Sequence, residues 1–267
     1  MTVFHAVVLG AIQGLAEFLP ISSSGHLAIA SRLMNNQASP LLFDILLHVA
    51  TLAAVVLVFR QRIAELFMVA VRVVIRKSPE SEAGERSVIL ALIVATAVTG
   101  VIGLFLKNYV EGFSPFLIAC SFVITGVILF VSGRYTAKNT TTTPGILQGL
   151  FIGLAQGIGV IPGISRSGTT ISASLFAGLD RKTAGEFSFL LSIPAILAAF
   201  ILELNSADTL SVHISAVALA AGMLTAFIVG YFSLKVLLGL IRRGKLGWFA
   251  VYLIPVGIAL AFYFYSA

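Results

Sequence analysis

Six stretches of this 267-residue chain are apolar for long enough to cross a lipid bilayer: residues 41–59, 87–106, 116–133, 183–204, 214–238 and 248–265. A spanning helix needs about 20 predominantly apolar residues. With no water at that depth to satisfy the backbone, continuous runs of this kind can only be helices. The composition agrees: 58% of residues are hydrophobic and 10% charged, with a mean hydropathy of +1.05, against about 45–50% apolar and about 25% charged in soluble domains. A soluble globular enzyme and a disordered chain are excluded. The single cysteine, Cys120, excludes a disulfide scaffold, and continuous rather than alternating runs argue against a transmembrane β-barrel. The fold class is therefore all-α, a polytopic membrane protein. The net charge of +6, from 17 Lys and Arg against 11 Asp and Glu, then reports basic cytoplasmic loops and calls for no nucleic-acid partner. Residues 1–16 hold no Lys or Arg, so the start does not read as a cleavable signal.

Two further apolar segments, 3–34 and 145–178, are interrupted. The first breaks at Pro20-Ile21-Ser22-Ser23-Ser24-Gly25 and the second at Pro162-Gly163-Ile164-Ser165-Arg166-Ser167-Gly168. Proline removes a backbone donor and glycine tolerates unusual dihedrals, so each break reads as a turn between two half-helices too short to span. Residues 61–76, with Arg62, Glu65, Arg72 and Arg76, read as an interfacial helix or a helix extension. Lys77–Arg86 and Thr136–Pro144 read as solvated loops.

Lysine and arginine set the orientation. Arg60, Arg62, Arg72, Arg76, Lys77 and Arg86 mark one side, followed by Arg134 and Lys138, by Arg181 and Lys182, and by Lys235, Arg242, Arg243 and Lys245. The loop 107–115 has only Lys107 and the loop 205–213 has none. With the cationic loops cytoplasmic, segment 145–178 enters and leaves from the inside and segment 3–34 from the outside, both termini come out external, and Arg32 is an exception on the outer side.

The interrupted segments also align with each other. At an offset of 143 residues, Gly10, Gln13, Gly14, Ser22, Ser24, Gly25, Ala30 and Ser31 fall on Gly153, Gln156, Gly157, Ser165, Ser167, Gly168, Ala173 and Ser174. With the opposite orientations traced above, this predicts an inverted-topology repeat: 1–133 and 134–267, each with one re-entrant hairpin and three spans. The two hairpin tips should line one polar cavity, because irregular backbone is tolerated at that depth only where protein or water covers it.

Glu17, His26 and Arg166 lie at or beside the breaks, and an ionisable residue inside a membrane is a functional candidate by default. Gln13 and Glu17 are four apart and share a helix face; Ser23 and His26 are three apart. Helices starting after serine-rich turns present unpaired N–H groups to an anion, and Arg166 adds a guanidinium suited to phosphate. A carboxylate opposite a phosphate calls for a divalent metal between them, and a serine near a histidine supplies a nucleophile with its base. The pattern fits metal-assisted phosphoryl chemistry on a substrate reached from the membrane. Plainer roles compete. Ser22, Ser24, Ser165 and Ser167 are suited to capping helices, and Glu17 with Arg166 to a buried ion pair. His48 reads as an interhelical hydrogen-bond partner, His5 and His213 as loop or interfacial residues. Asp44 and Glu186 fit interface exposure near span ends, and Glu111, Glu203 and Asp208 fit solvent. A lipid-phosphate transporter or flippase would use the same cavity without a nucleophile, and a membrane scaffold would need none of these groups.

Gln13-Gly-Leu-Ala-Glu17-Phe-Leu-Pro20-Ile-Ser22-Ser23-Ser24-Gly25-His26 resembles the first signature of the undecaprenyl-diphosphate phosphatase family, the bacitracin-resistance membrane phosphatases. Pro162-Gly-Ile-Ser165-Arg166-Ser167-Gly168-Thr-Thr170 resembles its second. Phe43-Asp-Ile-Leu-Leu-His48 and Glu186-Phe-Ser-Phe-Leu-Leu-Ser-Ile-Pro194 are similar to family sequences too, so the resemblance covers essentially the whole chain. It implies hydrolysis of undecaprenyl diphosphate to undecaprenyl phosphate and inorganic phosphate with Mg²⁺ or Ca²⁺. That reaction recycles the lipid carrier for peptidoglycan synthesis and confers bacitracin resistance. It also implies a multi-pass protein of the bacterial cytoplasmic (inner) membrane, a site opening to the periplasmic or external side, and a homodimer. By the same resemblance Glu17, Ser23, His26 and Arg166 are catalytic, Ser23 as nucleophile. Ser165, Arg166 and Thr170 bind phosphate, with Ser22 and Ser167 of the serine-rich turns as further candidates beside them, and Glu17 and Gln13 hold the metal. The family shows Glu or Gln where this chain has Gln13, which leaves Glu17 as the one evident metal-ligating carboxylate.

Overall fold

A computed structural model describes residues 1–33, 41–110, 112–137, 139–204 and 214–266. They form ten α-helices in chain order: α1 Val3–Phe18, α2 Ser23–Leu33, α3 Leu41–Val74, α4 Ala83–Val110, α5 Pro115–Arg134, α6 Ile146–Ile158, α7 Arg166–Phe176, α8 Arg181–Leu204, α9 Ala216–Arg242 and α10 Trp248–Ser266. Six of them, α3, α4, α5, α8, α9 and α10, are long and apolar enough to cross a membrane. Their outer faces carry exposed Phe105, Val251 and Tyr265, a surface suited to lipid rather than water.

Helix boundaries follow local chemistry. Thr2, Ser114, Ser165 and Ser215 are N-caps whose hydroxyls accept from His5, Leu117, Gly168 and Ala218 backbone N–H groups. Asp180 does the same for Thr183 ahead of α8. Both sequence-predicted breaks appear, between α1 and α2 and between α6 and α7. Ser22 takes a left-handed φ of 71° and Gly163 one of 89°, each reversing the chain within a few residues.

Small residues bring the helices together. Apolar side chains gain nothing from leaving lipid, so close backbone contact is what holds helices in a bilayer. A methyl on Gly10 of α1 would sit 2.3 Å from the Gly222 carbonyl oxygen of α9. A methyl on Gly153 of α6 would sit 2.8 Å from that of Ala95 in α4. Matching α1–α5 with α6–α10 in order, α1 against α9 corresponds to α6 against α4, and α3 against α9 to α8 against α4; α5 and α10 pack on each other. Hydroxyls inside the bundle fold back onto carbonyls four residues earlier, as Thr96, Thr99 and Thr225 do on Leu92, Ala95 and Ala221.

Four readings of the sequence are refined. Residues 61–76 extend α3 beyond a kink at Phe59, whose φ of −100° and ψ of 15° leave the helical range. The polar run 77–86 is not all loop. Arg72 pairs with Glu82 at 2.6 Å and Ser78 donates to Glu82, folding a short 3₁₀ turn over Glu80–Glu82 that leads into α4 at Ala83. Thr141, in the stretch 136–144, exchanges backbone bonds with Gly178 and Asp180 at 2.9 and 3.1 Å. His5, read as a loop or interfacial residue, lies in the first turn of α1. The readings made for Lys138, Glu111, the loop 205–213 with Asp208, and His213 fall outside the described residues, as do those for the side chains of Lys107 and Glu203.

Gly10→Val should separate α1 from α9. Overpacking of this kind costs about 1–3 kcal/mol. The melting temperature of detergent-purified protein should fall by several degrees, whereas the same change at Gly100, which faces open space, should not lower it.

Candidate active site

The two turns meet. Ser167 donates across to the Phe18 carbonyl at 3.1 Å. A methyl on Gly168 would lie 3.3 Å from Pro20 and one on Gly25 3.1 Å from Gly163. Where they touch, Arg166, first residue of α7, forms an ion pair with Glu17 Oε1 near the end of α1. The Glu17 side chain is 5% exposed and that of Arg166 24%, so the pair lies at the edge of the packed interior.

The other carboxylate oxygen, Oε2, is the hub of the site. Ser23 Oγ, on the first residue of α2, donates to it at 2.7 Å. Gln13 Nε2, one turn earlier on α1, donates at 3.1 Å. His48 Nε2 approaches it at 3.4 Å from α3. Four helices thus converge on one buried carboxylate. A narrow cleft beside it is lined by Glu17, Phe18, Arg166, Ser167 and Thr170, with Ser188, Phe189 and Ser192 of α8.

A guanidinium, a serine whose proton points at a carboxylate, and a helix N-terminus held by a serine cap make up a phosphate-handling arrangement. The model of the family "Bacitracin resistance protein BacA" matches residues 6–259. The chain belongs to the BacA family. It is 60% identical over 266 residues to an undecaprenyl-diphosphatase of Treponema denticola, covering 100% of this chain and 99% of the relative. It is 38% identical to an undecaprenyl-diphosphatase of Carboxydothermus hydrogenoformans, covering 97% of each chain. It is 37% identical to one of Borrelia recurrentis, covering 95% of this chain and 96% of the relative.

In this BacA-family chain the structure gathers Gln13, Glu17, Ser23 and Arg166 into one hydrogen-bonded cluster. Ser167 and Thr170 stand on the same cleft, Thr170 donating to the Arg166 carbonyl at 2.8 Å. Ser165 caps α7 through Gly168 at 3.1 Å, and Thr125 holds its own N–H at the same distance. Ser22 faces Ser24 at 3.4 Å and not Glu17. His26 does not reach the Ser23 hydroxyl. Its Nδ1 is 2.8 Å from the Ser22 carbonyl and its Nε2 2.8 Å from the Tyr252 hydroxyl of α10.

Other groups at or near the site were read differently or not at all from the sequence. His48 is an interhelical partner, as expected, but its partner is Glu17. Its approach depends on α3 lying beside α1, which no local pattern reveals. Ser188 and Ser192 are one helical turn apart on the face of α8 that borders the cleft; their spacing was the available signal. Glu186, assigned to interface exposure, is paired with Arg62 at 2.8 Å.

No three His, Cys, Asp or Glu side chains converge among the described residues, so those residues offer no complete metal cage of their own. They do offer hard oxygen donors. Glu17 is one, and Gln13 Oε1 is buried without a hydrogen-bond partner. That donor set suits a Mg²⁺ or Ca²⁺ ion whose remaining ligands are substrate phosphate oxygens and water.

Glu17→Ala strands the Arg166 charge and should lower the melting temperature in detergent. Removing one partner of a desolvated pair costs more than removing both. Glu17→Ala/Arg166→Ala should therefore be less destabilised than the two single losses added together, with a coupling of about 1–3 kcal/mol.

Proposed function

We propose that this chain hydrolyses undecaprenyl diphosphate to undecaprenyl phosphate and inorganic phosphate, recycling the lipid carrier of cell-wall synthesis and conferring bacitracin resistance. Family membership and the relatives' names support the reaction. The single observation that carries the mechanism is the 2.7 Å bond from Ser23 Oγ to Glu17 Oε2, with Arg166 on the same carboxylate.

The isoprenoid tail lies among the apolar helices while the diphosphate enters at the meeting point of α2 and α7. Arg166 turns from Glu17 toward the phosphate oxygens and stabilises the charge that develops on them, the largest contribution in phosphoryl transfer. Ser23 Oγ attacks the terminal phosphorus and its proton passes to Glu17 Oε2. The bond to the bridging oxygen breaks and undecaprenyl phosphate leaves. Water then cleaves the phosphoserine, inorganic phosphate departs, and Ser23 regains its proton. Ser167 and Thr170 border the phosphate, and Ser22 and Ser165 shape the turns that present it. A divalent ion held by Glu17 and Gln13 would neutralise charge on the phosphate oxygens. The alternative in which water attacks directly with His26 as acid leaves the Ser23–Glu17 bond without a purpose.

Two inverted halves, 1–133 and 134–267, with re-entrant hairpins, place the two turns at a common depth. The offset of 143 residues and the matched packing of α1 on α9 and α6 on α4 support this. The cationic loops, cytoplasmic by the positive-inside rule, put both termini outside in the inner membrane of a bacterium, and the family resemblance implies that the site opens on that same side. A homodimer is expected from the family resemblance.

Purified protein should release phosphate from undecaprenyl diphosphate, and chelator should depress the rate. Glu17→Ala and Ser23→Ala should each lower kcat by 10³-fold or more, on the order of the loss of a nucleophile or its base. Acid quench during turnover should trap phosphoserine at Ser23. No phosphate release would leave a lipid-phosphate transporter as the function of the cavity. Near-normal rates for Ser23→Ala would replace the serine by water.

A further inference from the structure

We propose that Tyr252, on the last helix and far in sequence from both motifs, is a positioning residue for this reaction, acting through His26; the inference rests on the phosphatase reading above. A carbonyl oxygen can only accept, so the 2.8 Å contact between His26 Nδ1 and the Ser22 carbonyl requires the hydrogen on Nδ1. Nε2 of the neutral ring then carries the lone pair, and the Tyr252 hydroxyl, 2.8 Å away, donates to it. The ring is fixed in plane as well. Phe122 of α5 stacks on the imidazole with centroids 4.8 Å apart and planes at 24°, and the Tyr252 ring lies 5.8 Å away at 18°.

The surrounding backbone is shaped for this arrangement. Ser22 adopts φ 71°, unfavourable for a residue with a side chain, and its carbonyl accepts from both the N–H and the Nδ1 of His26. A methyl on Gly25 would sit 2.4 Å from the Phe122 ring, so the seat of Phe122 on His26 needs glycine there. These are costs and constraints that a mere surface histidine would not justify.

The consequence is a division of labour between Glu17 and His26. Ser23 is served by Glu17. His26 gives its Nδ1–H to the carbonyl of Ser22, the residue before Ser23, and Tyr252 holds the ring there through Nε2. In the second half of the reaction water attacks the phosphoserine phosphorus and the P–Oγ bond breaks. The protons of water leave on the inorganic phosphate, and Glu17 returns its proton to Ser23 Oγ.

The test uses full-length protein in detergent. Tyr252→Phe keeps the ring and removes the hydroxyl. It should lower kcat about tenfold, within the range of supporting contacts, with KM changed by less than about twofold. In a His26→Gln background the same substitution should cost nothing further, because the two act as one unit. With ¹⁵N-labelled histidine, the Nε2 resonance that disappears in His26→Gln should move in Tyr252→Phe, while that of His48 stays. An unmoved resonance, or an equal loss of kcat in both backgrounds, overturns the proposal. If the wild type releases no phosphate, the phosphatase reading fails by itself, and the Nε2 resonance alone decides whether Tyr252 holds His26.

Discussion

A carboxylate cannot be left bare among lipid-embedded helices, and the arrangement of this protein follows from that constraint. Glu17 sits at the end of a helix too short to cross the bilayer, 149 positions in the chain from its cationic partner Arg166. Their ion pair requires both helix breaks to reach one depth and one place. Burying such a pair is not a cheap source of stability. Its presence in a chain with only 11 acidic residues points to what the charges do rather than to what they hold.

The bundle makes that meeting possible by keeping bulk away from the contacts that matter. Gly10 and Gly153 let α1 and α6 lie against the backbones of α9 and α4. Gly25 and Gly163 let the two turns touch each other and α5. The irregular backbone between the half-helices is in turn bonded by protein: Thr125 donates to the Gly163 carbonyl and accepts from the Ser165 N–H. Packing, turn geometry and the charged cluster therefore belong to one device, and a change in any of them reaches the others.

Much of this was legible in the sequence, and the limits have physical causes. The spans, both breaks and the facing of Gln13 on Glu17 depend on local periodicity and on proline and glycine, which the sequence displays directly. The convergence of Glu17 with Arg166 was inferable because the two segments repeat. The contacts of His48 and Tyr252 were not. Each depends on which helix face abuts which, and spans that are apolar nearly all round carry no periodic mark of their inward side. The ion pair that folds residues 72–86 was hidden for a related reason, since a run of charges looks the same whether it is solvated or paired. Ser23 illustrates the middle case. Its place at a helix start was evident, but only the angle between α1 and α2 decides that its hydroxyl meets Glu17 and not His26.

Gln13 shows how the cluster is balanced. Its amide nitrogen must face Glu17, because a carbonyl turned toward a carboxylate would set acceptor against acceptor, so Oε1 is the end left without a partner. A glutamate here would replace a donor by a second negative charge. Glu17 and Arg166 could then no longer neutralise one another, and two carboxylates a helical turn apart would need an added cation before a phosphate could approach. With glutamine the protein part of the cluster is balanced by Arg166, and the incoming phosphate meets a site with no surplus negative charge. The orphaned amide oxygen still gives a metal ion a neutral ligand, so Gln13 changes how strongly the cluster calls for a cation without removing the place where one would bind.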